Sequence, residues 1–203
     1  MMNWLKRTRL ECLTLEVYLG TRKTNGKRVV RLIWNIDASF AVHDDMKSHT
    51  GAVFTMGKGA IMAISRKQKT NTRSSTEAEL VGIDDVISPM LWSRRFAEAQ
   101  GYEVEMCLME QDNKSTLKWV ANGRASTGKR TRHMAIRYFY ITDQVNKKLI
   151  TATYKPTKEM VGDYMSKPLQ GNLMQKHRRA ILNLPQLPNK NVGRTEAQTP
   201  KRS

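Results

Sequence analysis

Cysteine is nearly missing from this chain: its 203 residues include two, Cys12 and Cys107, with neither Cys-x-x-Cys spacing nor a nearby His. A disulfide framework and a structural zinc site are therefore excluded as organising features, and both residues read as reduced thiols of an intracellular protein. Long apolar runs are missing too. No stretch approaches the roughly 20 residues a membrane helix needs. The opening MMNWLKRTRLECLTLEVYLG is broken by Lys6, Arg7, Arg9 and Glu11 and cannot serve as a secretory signal. Acids are scarce relative to bases: 18 Asp and Glu against 35 Lys and Arg leave a formal net charge of +17 at pH 7. A polyanion is the natural partner. The bases are spread over loops and both ends, not gathered beside an apolar helix, so nucleic acid is expected and a membrane surface is not.

With 39% hydrophobic residues the chain is apolar enough for one α/β domain with a core of its own and extensions beyond it. From Arg28, VVRLIWNIDASF is rich in β-branched and aromatic residues and reads as a strand; GAVFTMGKG and AIMAISRKQ follow at hairpin spacing, giving an antiparallel meander. SSTEAELVGIDDVISPMLWSRRFAEAQG then takes up helical period, with Leu80, Ile83, Ile87, Met90 and Leu91 on one face, a kink expected at Pro89 and a stop at Gly101. EVEMCLMEQ reads as a strand, DNKSTLKWVANG and MAIRYFYITDQVNKK as helices, LITATYKP as the last strand and KEMVGDYMSKPLQG as the last helix. A meander followed by strands separated by helices implies a five-stranded mixed α/β sheet, three strands antiparallel and two parallel, with helices on both faces. Ligands on such a sheet gather at the C-terminal ends of its parallel strands. Three spans are expected: a leader at 1–27, the domain at 28–171, and a basic tail at 172–203 with one short amphipathic stretch and disorder from about Pro185.

Four acids fall where this sheet could gather them, each with an ordinary alternative. Asp37 interrupts an apolar strand, where an unpartnered buried carboxylate costs several kcal/mol and a metal ion would relieve it; alternatively it sits at an exposed strand end. Glu79 lies in the first turn of the long helix, where Thr76-x-x-Glu79 also reads as a capping box. Asp112 ends the strand VEMCLMEQ and could cap the following helix. Asp163 lies in the last helix, where a solvated acid near the positive end of the helix dipole is the bland reading.

The order of these residues and their surroundings say more than any one of them. SSTEAEL before a long helix, QDNKST after a strand, RTRHMAIRYFYITDQV, and YKPTKEMVGDYMSKPLQG resemble the successive motifs of the ribonuclease H domain of copia-type retrotransposon polyproteins, where it lies C-terminal to the reverse transcriptase. DASFAVHDDMKSHTGAVF fits that family's first strand and hairpin, so the resemblance runs from about Arg28 to Gly171. It implies the ribonuclease H-like fold and a metal-dependent endonuclease that cuts the RNA strand of RNA–DNA hybrids. Asp37, Glu79, Asp112 and Asp163 would be the catalytic metal ligands, for two Mg²⁺ ions or Mn²⁺. Glu79 is chosen over Glu77 because the family's Glu precedes the apolar residue that opens the helix face, here Leu80.

Phosphate contacts are expected from Lys67 and Lys69 before the long helix and from Arg124, Lys129, Arg130, Arg132 and His133 between the later helices, with a solvated charge run as the alternative. Gly162 stands where the family usually has Ala, at an expected cost to the last helix. Asp44-Asp45 and Asp84-Asp85 are the only Asp pairs, and neither follows the aromatic-x of a polymerase's Tyr-x-Asp-Asp turn. The reverse transcriptase and integrase parts of a retroelement polyprotein are thus expected to be absent from this chain, which would act in the cytoplasm, in a retroelement particle, or in the nucleus. A catalytically silent, nucleic-acid-binding remnant of the same fold is the competing reading. An integrase-like core, which ends its set on Glu, is disfavoured by the order Asp, Glu, Asp, Asp.

Overall fold

Alternation along one strand organises the molecule. The computed structural model describes residues 16–17, 19–24, 27–123 and 135–185. Strand β3 (Lys27–Ser39) follows β1 (Glu16–Val17) and β2 (Leu19–Thr24). Its Val30, Leu32, Trp34 and Ile36 are fully buried on one face, and Trp34 stacks on Phe54 with ring centroids 4.7 Å apart. β4 (His49–Thr55) pairs antiparallel with residues 33–39 of β3, and β6 (Met62–Lys67) pairs with β4. On the other side, β7 (Glu103–Gln111) runs parallel to β3, and β8 (Thr151–Tyr154) runs parallel to β7. The order β6-β4-β3-β7-β8 is the five-stranded mixed sheet of the ribonuclease H-like class that the resemblance implies. Further pairings adjoin it. β2 pairs antiparallel with the start of β3, and β1 pairs with β5 (Gly57–Lys58).

The long helix α1 (Ser75–Ala99) runs unbroken through Pro89 and buries Leu80, Ile83, Val86, Ile87 and Met90 in the core formed with β3 and β7. Gly101, at φ +86°, follows it in a left-handed conformation that favours glycine. Helices α2 (Lys114–Asn122) and α3 (Ala135–Asn146) then lead to β8.

The expected last helix divides. Thr157–Glu159 is a single 3₁₀ turn and α4 spans only Asp163–Ser166. Lys167 is extended at φ −130°, ψ 145°, as a residue before proline is driven to be. The amphipathic stretch beyond forms α5 (Gly171–Leu182), whose His177 is buried and whose Ile181 carbonyl accepts a 2.8 Å bond from the Ala60 N–H. This stretch therefore packs on the domain and does not hang from it. The disorder expected from about Pro185 falls on 186–203, outside the described residues.

Candidate metal centre

Parallel pairing brings the first two acids together. β3 and β7 are in register with Asn35 opposite Glu110, so two residues further along each strand Asp37 and Asp112 stand side by side at the C-terminal edge. The start of α1 overhangs that edge and supplies Glu79. One carboxylate oxygen from each of Asp37, Glu79 and Asp112 can be chosen so that all three lie within 4.8 Å of one another. Asp37 and Glu79 are buried, at 1% and 6% exposure, and Asp112 is half-buried. Asp163, also buried, stands outside this group of three but next to it: the Lys167 ammonium donates to Asp37 Oδ1 at 3.1 Å and to Asp163 Oδ1 at 2.9 Å.

Local capping explains why these acids are free for a ligand. Ser74, not Thr76, caps α1: its Oγ accepts from the Glu77 N–H at 3.2 Å, while Glu77 Oε2 accepts from the Arg73 N–H at 2.7 Å. The box is thus Ser74 with Glu77, and Glu79 is released. At α2 the cap is Asn113, whose Oδ1 accepts from the Ser115 and Thr116 N–H groups, so Asp112 is not the cap. Asp112 Oδ2 instead accepts from Thr157 Oγ1 at 2.7 Å. Asp163 opens α4 and is 2% exposed, which replaces the picture of a solvated acid inside a longer helix.

Two glycines let α4 reach the sheet. Gly51 lies opposite Asp37 on β4, and a Cβ there would fall 2.5 Å from the Ser166 N and 2.7 Å from the Gly162 O. Gly162 precedes α4, so the expected cost of glycine within a helix does not arise; its own Cβ would lie 3.1 Å from the Asn35 O. This contact places Ser166 so that its hydroxyl donates to Asp37 Oδ2. Gly51→Ala should force backbone apart and destabilise the protein by about 1–3 kcal/mol in chemical denaturation; an unchanged midpoint would contradict this account of the packing.

Gln111, which the sequence reading passed over, joins two of the acids. It is fully buried; its Nε2 donates to Glu79 Oε2 at 3.1 Å, and its Oε1 accepts from the N–H groups of Asp112 and Asn113 at 2.8 and 3.1 Å. The amide therefore fixes both the Glu79 carboxylate and the turn carrying Asp112. Gln111→Leu should weaken Mn²⁺ binding about 10–100-fold, as loss of a group that orients a ligand does. Titration of the variant would show it, and unchanged affinity would remove Gln111 from this role.

The site holds negative charge against its preference. Burial, followed by the charge of Asp37, pushes Glu79 well above the usual carboxylate range. Burial and then Asp37 also raise Asp163, to about 6, although Lys167 opposes this. Burial alone would lower Lys167, but Asp37 and Asp163 outweigh it and hold the ammonium charged. Among the described residues, four carboxylates against this one hydrogen-bonded ammonium leave a deficit of positive charge, and a set of hard oxygen donors suits Mg²⁺ or Mn²⁺. The residues present fit a divalent cation.

Of the expected phosphate contacts, Lys67 is exposed and paired with Asp45 at 2.7 Å, and Lys69 is exposed. Arg124, Lys129, Arg130, Arg132 and His133 lie outside the described residues. A chain of polar groups beside α4 was also not foreseen: His43 Nε2 meets His49 Nδ1 at 3.0 Å, His49 Nε2 meets Ser65 Oγ at 2.9 Å, and Ser65 donates to the Met165 carbonyl. The spacing of two His residues across a hairpin was its one sequence signal.

Comparison with known proteins finds similarity of sequence to parts of longer proteins and of shape to solved domains. No family model matches the chain. Over 129 residues it is 30% identical to the Retrovirus-related Pol polyprotein from transposon TNT 1-94 of Nicotiana tabacum, covering 64% of this chain and 10% of that protein. Over 133 residues it is 29% identical to the Retrovirus-related Pol polyprotein from transposon RE1 of Arabidopsis thaliana, covering 65% and 9%. The chain thus spans about a tenth of the length of these curated relatives. Among solved structures, LC11-RNase H1 in complex with RNA/DNA hybrid is 11% identical with a TM-score of 0.43, covering 65% of this chain and 87% of that one. RNase H1 from Halobacterium salinarum NRC-1 is 11% identical with a TM-score of 0.36, covering 64% and 86%. The Prototype Foamy Virus Protease-Reverse Transcriptase is 11% identical with a TM-score of 0.41, covering 75% and 20%. On its sequence, the chain is similar over 64% to 68% of its length to the retrovirus-related Pol polyproteins of plant transposons.

Proposed function

We propose that this chain is a ribonuclease H-type endoribonuclease of a copia-type retroelement, cutting the RNA strand of RNA–DNA hybrids with divalent cations held by Asp37, Glu79, Asp112 and Asp163. The observation that carries the reading is the convergence of three of these acids, from two parallel strand ends and one helix start, within 4.8 Å. Bound Mg²⁺ or Mn²⁺ would supply an activated water and stabilise the leaving oxygen. The chain's own groups do the rest: Gln111 orients Glu79 and the Asp112 turn, and Ser166 and Lys167 fix Asp37. Residues 28–171 are read as the nuclease domain.

Lys67, Lys69 and the basic run 124–133 would hold phosphates, and the 2′-hydroxyls in the wide minor groove would mark the RNA strand. Among the described residues no helix is long and apolar enough to cross a membrane. The proposed setting is inside the cell, in a cytoplasmic retroelement particle or the nucleus. The test is an end-labelled RNA strand presented in a hybrid and in double-stranded RNA. Cleavage of the hybrid alone with Mg²⁺, stopped by chelator and by Asp112→Asn, is expected. Hybrid binding without cleavage under both Mg²⁺ and Mn²⁺ would favour the silent remnant instead.

A further inference from the structure

The charge balance of the site is uneven from one side to the other. On the Glu79 and Asp112 side the carboxylates meet neutral donors, Gln111 and Thr157. On the Asp163 side the Lys167 ammonium lies between two acids, 3.1 Å from Asp37 Oδ1 and 2.9 Å from Asp163 Oδ1. Its side chain is 36% exposed while those of Asp37 and Asp163 are 1% and 3% exposed, so the head reaches from the surface into a buried pair. The backbone holds it there. Pro168 keeps Lys167 extended at the end of α4, and the Lys167 N–H donates to the Asp163 carbonyl at 2.9 Å.

A divalent ion between Asp37 and Asp163 would meet the ammonium that already contacts both of them, and the repulsion between the two cations works against its entry. We infer that Lys167 is the built-in cation of the Asp37–Asp163 half of the site. The free protein then takes one divalent ion, at Asp37, Glu79 and Asp112, and a second enters only where the ammonium has left. Lys167 is in this account a positioning residue: it keeps Asp37 and Asp163 together without an ion between them and sets how many ions the site accepts. The inference rests on the metal-site reading proposed above.

Titration of the full chain with Mn²⁺, without nucleic acid and with bound and free ion distinguished by electron paramagnetic resonance, tests it. One ion per chain is expected for the wild type, two for Lys167→Gln, and one for Lys167→Arg, which keeps the charge. Asp163→Asn should still bind one ion, because Asp163 faces Lys167 and not the group of three, whereas Asp112→Asn should lose binding at least tenfold. Two ions on the wild type, or the wild-type count and affinity in a folded Lys167→Gln, would overturn the role of Lys167 while leaving the metal site standing. No ion on the wild type would overturn the metal reading and this inference with it. Should Lys167→Gln fail to fold, Lys167→Met is titrated in its place, with two ions expected and a count of one overturning the role of Lys167.

Discussion

Glu79→Gln should lower hybrid cleavage by about a thousandfold or more and at the same time raise the unfolding temperature of the metal-free protein. The first effect follows from losing one of three converging carboxylates, since a bound metal supplies several kcal/mol of charge stabilisation at about 1.4 kcal/mol per factor of ten. The second follows from burial. Glu79 is 6% exposed, and burial and the neighbouring Asp37 hold its carboxyl well above the usual range, so without metal its charge works against folding. A glutamine keeps the shape and can still accept the Gln111 amide through its own oxygen. Opposite signs in activity and stability are what a functional carboxylate gives and a structural one does not. Single-turnover cleavage and a thermal melt in chelator measure the two effects, and a melt that falls would contradict the account.

The stability that Glu79 and Asp163 contribute to the metal-free protein should fall as pH rises, and added Mg²⁺ should restore it. Glu79 and Asp163 both have folded-state pKa values above their ordinary ones, Asp163 at about 6. A raised acid contributes stability that is complete below its unfolded value near 4, and that is lost as pH climbs through the folded value. For Asp163 the loss therefore spans about pH 4 to 6, and for Glu79 it also proceeds upward from the ordinary carboxylate range. Lys167, raised by its two partners, stays charged throughout and contributes no slope there. Cations compete with protons for the same oxygens, so the rise in melting temperature on adding Mg²⁺ should be larger at pH 7.5 than at pH 5. Melts in chelator and in saturating Mg²⁺ at both values are the check; an equal or larger rise at pH 5 would contradict the reading.

Much of this site was legible because the signals were local. Asp37 stood out as a charge inside VVRLIWNIDASF, and strand-end logic placed Asp112 at the edge where parallel strands collect ligands. Glu79, preferred to Glu77, is the acid that lies beside Asp37 and Asp112, and its capping alternative was settled only by Ser74 taking the cap. Gln111 was missed because its contacts join residue 79 to residues 112 and 113, a relation no local pattern encodes. Lys167 carried a readable clue, four residues after Asp163, but its second partner is 130 positions away. The division of the last helix was hidden for the same reason: Gly51 and Gly162 matter through a close approach of α4 to the sheet. The packing of α5 was underestimated because its one buried polar residue, His177, reads from sequence as a surface position.

Crystals of the full chain grown with Mn²⁺ and recorded at the manganese absorption edge would test the central claim most directly. An anomalous peak coordinated by Asp37, Glu79 and Asp112 is the predicted result. A map with no peak among those three carboxylates in saturating Mn²⁺, or with its peak elsewhere on the chain, would contradict it.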